Sequence, residues 1–256
     1  YWRDWSSDVG SSDLLAESTA GGVTTIGDIA TAVHAHVLSH GGPRLRVFCE
    51  GLGLRSATIS AAARAVTRDL VALGRAGIAA GVSPHAPYSV AAPLGRTLLA
   101  TACDRGLPVA MHLAESADEA ELLDLARGTG PFRDLLESLG AWDAAGPPTL
   151  LPAAEWITRL ARARRGIVVH ATHVGRDPEA LDRLARHRDR LCVAVCPRTT
   201  RAISGVLPPV AILRDAGVRV CMGTDGRGSN PDLSILAECR MLVDAGLASP
   251  AEALAM

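Results

Sequence analysis

The sequence predicts an α/β fold, a parallel βα barrel filling one domain. Three observations carry that expectation. From residue 15 onward, short β-rich runs alternate with longer stretches of helical period. Seven of those runs are mostly continuous in apolar character, the pattern of a parallel sheet covered on both faces. The length, 256 residues, suits a single barrel as well as it suits two smaller domains.

Taken in order, a helix ends over residues 15–20 and a first strand follows at 23–29 (VTTIGDI). The second strand is 45–50 (LRVFCE), after which Ile59, Val66, Leu70 and Leu73 line one face of a helix. Further strands are read at 78–83, 109–113, 167–170, 191–196 and 218–222. Helical patterns separate them at 94–105, 155–164, 179–187 and 210–216, and another covers 233–245. Ser249-Pro250-Ala251-Glu252 is a capping box with proline at the first helical position, so the chain is expected to break off inside a helix. At the other end, residues 3–14 (RDWSSDVGSSDL) lack either period and hold Trp5, while Tyr1 and Trp2 precede them. The run resembles a translated sequencing-library adapter, apart from Gly10, and residues 1–14 are therefore set aside from the fold. The expected organisation is a non-native segment at 1–14 and a partial barrel at 15–256.

Composition removes several classes of function. Net charge is −1, from 26 basic and 27 acidic residues, and aromatics are only 3%, which leaves no footprint for a nucleic-acid polymer. The chain has no lysine, which excludes a Schiff-base lysine, a P-loop lysine and a carboxylated-lysine metal bridge. The longest uncharged run, 76–95, contains Pro84, Pro87 and Pro93 and reads as strand plus loop rather than a membrane span. Six scattered cysteines without a C-x-x-C pair read as thiols in a reducing cytoplasm.

Reactive groups of a parallel βα barrel stand where strands run out into the following loops. His85 follows the strand at 78–83, in SPHAPYS. His112 closes the strand at 109–113, with Glu115 three residues on; His170 closes the next; Asp225 follows the last in MGTDGRGSN. Imidazoles and a carboxylate from separate strands are the donor set of one divalent ion such as zinc or iron. A carboxylate beside bound water, such as Glu115, suits proton transfer. His34-Ala35-His36 is rejected as a ligand pair, because it lies in a predicted helix where residues two apart diverge.

GVTTIGDIA, GVSPHAPYSV, MHLAES, VVHATHV, VAVCPRT and GVRVCMGTDGRGSNPDLSILAECR, in this order, resemble the amidohydrolase superfamily. Within it they are similar to the aminohydrolase and chlorohydrolase group that includes cytosine, guanine and S-adenosylhomocysteine deaminases. The resemblance implies a (β/α)8 TIM-type barrel of the metal-dependent hydrolase kind, here truncated to strands 2 to 8. It implies one divalent metal, zinc or iron, bound by His112 and Asp225, and a small-molecule substrate. Asp225, Glu115 and His170 take the catalytic roles: accepting a proton from the metal's water, shuttling protons to the substrate ring, and orienting the attacked centre. His85 and His173 are implied substrate contacts, His173 equally fitting a polar residue at a helix start. After Cys196-Pro197-Arg198, Thr199, Thr200 and Arg201 stand where close relatives often carry a histidine.

The implied reaction is hydrolytic deamination of a nitrogen heterocycle by a metal-bound hydroxide. The family's H-x-H ligand pair, from strand 1, has no counterpart, so this polypeptide as written is expected to be inactive although its parent gene encodes an enzyme. Hydrolytic dechlorination by the same machinery and a non-catalytic barrel are the alternatives. A phosphate-binding isomerase ranks below both, because Asp225 sits among the glycines that would have to hold the phosphate. Homo-oligomer formation is left open.

Overall fold

A computed structural model describes residues 11–33, 43–124, 129–142 and 148–256. The chain opens with helix α1 (Ser11–Ala20) and strands β1 (Thr25–Ala30) and β2 (Arg44–Gly51). It continues through α2 (Ser56–Arg75), β3 (Ala79–Pro84), α3 (Ala92–Asp104), β4 (Val109–Leu113), α4 (Ala117–Leu123), α5 (Pro131–Ser138) and α6 (Ala153–Leu160). Then come β5 (Gly166–His170), α7 (Pro178–Arg186), β6 (Leu191–Val195), α8 (Pro197–Ser204), α9 (Val210–Asp215), β7 (Arg219–Met222), α10 (Ile235–Asp244) and α11 (Pro250–Ala255).

The strands form one seven-stranded sheet in sequence order, β1 to β7, every pair parallel. In such a sequential parallel sheet the right-handedness of strand–helix–strand crossovers places the connecting helices on one face, and a twisted sheet covered on one side curls toward a barrel. The curl brings its two ends together. Glu17 of α1 accepts a hydrogen bond from Leu233 N and pairs with Arg227 Nη1, both at 3.2 Å, tying the first helix to the loop after β7.

Helix-facing positions make the core. Val109, Met111, Leu113, Val168, Leu191, Val193 and Val195 are all buried, against Leu98, Trp156, Ile157, Leu160 and Leu184 of the helices. In β5 and β6 the alternate residues Ile167, Val169, Cys192 and Ala194 are only half-buried. The two-sided burial suggested by the apolar runs is therefore incomplete, and those positions line the concave side of the sheet. Trp156 sits directly on Gly95 of α3, where a Cβ would lie 2.1 Å from the indole Cη2.

All seven predicted strands are present, within two residues at each end. The capping box forms: Ser249 Oγ accepts from Glu252 N at 3.3 Å and Glu252 Oε2 accepts from Ser249 N at 2.8 Å. Three helices were not anticipated, α4, α5 and α8. They are short, and α8 (PRTTRAIS) buries Thr199 and Thr200 instead of an apolar stripe. Helix α1 begins at Ser11, inside the stretch that showed no helical period. His34-Ala35-His36 lies outside the described residues.

Candidate active site

The C-terminal ends of β2, β3, β4, β5 and β7 carry Glu50, His85, His112, His170 and Asp225 to one rim, with Glu115 on the turn after β4. Four non-glycine residues have left-handed backbone among those described: Ala114, His170, Ala171 and Asp225, at φ of 54°, 69°, 50° and 56°. All four stand where these strands run out. Such backbone costs energy and persists where surrounding contacts enforce it, commonly at functional sites.

At β5 the consequence for direction is direct. His170 is in register with Leu113, a helix-facing core residue, whereas His112 is in register with Val169. Regular alternation would turn His170 away from His112. The positive φ breaks that alternation, and the two rings stack with centroids 5.5 Å apart and planes 26° apart.

The turn carrying Glu115 is held by Glu119, a carboxylate only 1% exposed. Its two oxygens accept from Ala114 N at 2.8 Å and Glu115 N at 3.0 Å. Ser116 caps α4 by accepting from Glu119 N. Glu115 Oε1 thereby lies 3.4 Å from His170 Nε2, and ligand atoms of Glu115, His170 and Asp225 all lie within 4.8 Å of one another.

Asp225 is anchored from the other side. Ser229 Oγ donates to Asp225 Oδ2 at 2.7 Å, and Asn230 Nδ2 donates to the preceding carbonyl of Thr224 at 2.7 Å. Asn230 also donates to Glu238, which is fully buried and accepts from Arg198 N; Arg198 in turn makes a two-pronged pair with Asp232 at 2.6 and 3.0 Å. Thr199, standing in the stretch where a histidine was sought, meets Ser229 Oγ at 3.1 Å and supports the Asp225 loop.

A second cluster adjoins the first. Ligand atoms of Glu50, His85 and His112 lie within 4.8 Å of one another. The ring of His85 lies 5.1 Å from that of His112 and edge-on to Tyr88 at 5.7 Å. Both Glu50 and Tyr88 escaped the sequence reading, although Glu50 closes its strand just as His112 and His170 close theirs. His173 is placed elsewhere: it belongs to neither cluster, its backbone N–H donates to Ala114 O, and it precedes a short 3-10 turn at Val174–Arg176.

Burial sets the charge of the rim. His112 is held below the usual histidine range by burial and by His170, His170 by burial, and His85 by burial and by both other rings. Glu115 is pushed up by burial, with Asp225 adding to the shift against the pull of His112. The imidazoles are thus neutral at pH 7, and Glu115 holds its proton more readily than an ordinary glutamate.

The residues fit a divalent metal. His112 Nδ1 lies 3.1 Å from the carbonyl of His85, which fixes the proton there and leaves the Nε2 lone pair as a ligand, the outer-shell pattern of metal-binding histidines. His170 Nδ1 is buried without a hydrogen-bond partner, and Asp225 supplies a carboxylate oxygen. A parallel βα sheet with this rim is a barrel-type fold that carries a candidate metal site at the C-terminal edge of its strands.

Comparison with known proteins places it further. The Amidohydrolase family model matches residues 15–256, and the chain belongs to that family. It is 29% identical over 163 residues to the 5-methylthioadenosine/S-adenosylhomocysteine deaminase of Carboxydothermus hydrogenoformans, covering 64% of this chain and 32% of that protein. It is 30% identical over 190 residues to the aminodeoxyfutalosine deaminase of Deinococcus radiodurans, covering 70% and 43%. In fold it is similar to Helicobacter pylori aminofutalosine deaminase in complex with methylthio-coformycin, with TM-score 0.79, 24% identity, and coverage of 96% of this chain and 63% of that one. The chain spans roughly a third to under a half of the length of those two curated relatives. No helix among the described residues is long and apolar enough to cross a membrane.

Proposed function

We propose that the chain carries the catalytic rim of a metal-dependent hydrolase that deaminates a nitrogen heterocycle, the substrate being an adenosine-like nucleoside. The observation that carries this reading is the clustering of Glu115, His170 and Asp225, with the His112 ring stacked on that of His170, on backbone held left-handed at His170 and Asp225. The nucleoside class is taken from the names of the relatives.

His112 and Asp225 would hold the ion, zinc or iron. When bound there, such an ion lowers the pKa of its water and so supplies a nucleophile near neutral pH. The chain's own groups account for the proton movements. Asp225, fixed by Ser229, accepts a proton on the side of the attack. Glu115, whose proton burial makes harder to lose, delivers one to the ring nitrogen beside the attacked carbon, which makes that carbon more electrophilic. His170, 3.4 Å from Glu115, orients the attacked centre and keeps the carboxyl in place. The proton taken up by Asp225 is then passed to the amino group, which leaves as ammonia as the carbon–nitrogen bond breaks.

His85 is read as a substrate contact, and His173, outside both clusters, as a residue at the edge of the substrate space. We read residues 15–256 as the barrel portion and 1–14 as foreign to it. The six free thiols suit a reducing cytoplasm.

Equilibrium dialysis against Co(II) tests the reading. His112→Ala and Asp225→Ala are each expected to lower affinity by more than the roughly 10–100-fold seen for outer-shell partners. Binding unchanged in both variants refutes it.

A further inference from the structure

Asn230, on the loop after β7, has a side chain that is satisfied on one side only. The residue is 3% exposed. Both protons of its Nδ2 are engaged, one by Thr224 O at 2.7 Å and the other by Glu238 Oε1 at 2.6 Å. Its Oδ1 is buried and has no hydrogen-bond partner among the described residues. An amide turned the other way would set oxygen against the Thr224 carbonyl, so the nitrogen has to face Thr224. A buried acceptor left unpaired is destabilising. Stability alone therefore does not account for this side chain, and its two donors point to a role in the site.

That role follows from the peptide group to which Thr224 O belongs. The group is planar and leads into Asp225, whose φ is the rotation about the N–Cα bond leaving it. Holding the carbonyl therefore holds the plane from which that φ is set. Asp225 has a φ of 56°, a left-handed conformation that a residue with a side chain keeps only where contacts enforce it. Thr199 Oγ1 approaches the same carbonyl only at 3.5 Å, so the short bond from Asn230 is the stronger restraint. Ser229 then fixes the carboxylate itself, by donating to Oδ2 at 2.7 Å. Two consecutive residues thus hold Asp225, Asn230 by its backbone and Ser229 by its side chain.

Asn230 is held in turn by Glu238 of α10, which is fully buried. The second oxygen of that carboxylate, Oε2, accepts from Arg198 N at 2.8 Å, near the start of α8. One carboxylate therefore ties two helices to the loop that carries Asp225. The geometry needs two N–H donors on one short side chain, which is what the asparagine amide provides. Aspartate has the same shape and no donor, and serine has one.

We propose that Asn230 is a positioning residue for the cation site: by holding the Thr224 carbonyl it fixes the left-handed turn that aims the Asp225 carboxylate, and Glu238 orients Asn230 for this. The inference rests on Asp225 binding the ion, as in the proposed function.

The test sets Co(II) affinity, from equilibrium dialysis of the whole chain, against the thermal midpoint. Asn230→Asp removes both donors and is expected to lower both quantities. In the double variant Asn230→Asp/Glu238→Gln the amide changes sides: position 238 donates to position 230 and still accepts from Arg198 N, while Thr224 O has no donor. This swap is expected to recover most of the lost midpoint, with Co(II) affinity staying about 10–100-fold below wild type, the range for outer-shell partners. Added to Asp225→Ala, the swap is expected to lower affinity no further, because both changes act through one carboxylate. Three results overturn the proposal by assigning Asn230 to the fold rather than the site: affinity that returns with the midpoint, a loss of equal size in the Asp225→Ala background, or a swap that no longer folds. Failure of the metal reading is seen separately, as Co(II) binding that Asp225→Ala leaves intact, and it removes the proposal as well.

Discussion

Glu119 illustrates how one buried side chain sets the direction of another. Its carboxyl is pushed up to about 7 by burial, against the pull of the Ala114 and Glu115 amides. The folded state therefore binds a proton that the unfolded chain, with an ordinary glutamate near 4.5, has already released. This contribution to stability is full below about pH 4.5 and is lost as pH rises through about 7, at up to about 1.4 kcal/mol per pH unit. Urea unfolding between those limits is expected to show a shallower pH slope for Glu119→Gln than for wild type. Identical slopes contradict the assignment. At the same scale, His85, His112, Glu115, His170 and Asp225 could be singled out as candidates because they are reactive types at or just after strand ends, whereas His173 belongs to neither cluster. Glu50 was passed over because a single glutamate ending a strand has no motif around it, and only the fold brings it beside His85 and His112. The supporting set of Ser229, Asn230, Glu238 and Arg198 was hidden for a different reason, since its members meet across up to 40 residues of sequence.

Elements were readable in proportion to their period. All seven strands were found from their apolar runs, and α2 from Val66, Leu70 and Leu73, all of which are buried. The short helices α4, α5 and α8 were missed because one or two turns give too few positions for a 3.6-residue repeat to emerge. Ser116 and Glu119 did carry a helix-start signal of the S-x-x-E kind. Glu119, however, turns away from its cap to bind Ala114 and Glu115, so the signal served the site as well as the helix. Helix packing offers its own test at Gly95. A methyl there collides with the six-membered ring of Trp156, a fully buried side chain. Gly95→Ala is expected to destabilise by about 1–3 kcal/mol, the usual cost of overpacking, despite the better helix propensity of alanine. A thermal midpoint equal to or above that of wild type would show that α3 and α6 are packed otherwise.

For the whole molecule, a sequential parallel sheet accounts for the site. Each strand adds one position to the rim, so chemistry spread over residues 50 to 225 is collected on one edge without any long-range motif. This is why the fold class could be read from alternation alone, while the direction of each reactive side chain could not. Direction depends on the left-handed turns at Ala114, His170, Ala171 and Asp225; alanine announces no such backbone, and histidine and aspartate, though enriched in it, adopt it too rarely for the sequence to reveal it. The central claim is that these turns aim His112, His170 and Asp225 at one cation. The most direct measurement is anomalous diffraction at the zinc edge from crystals soaked with Zn(II). The account predicts a peak enclosed by His112 and Asp225 beside His170. Zinc bound only elsewhere, or these three side chains directed apart around an ion held by other groups, would contradict it.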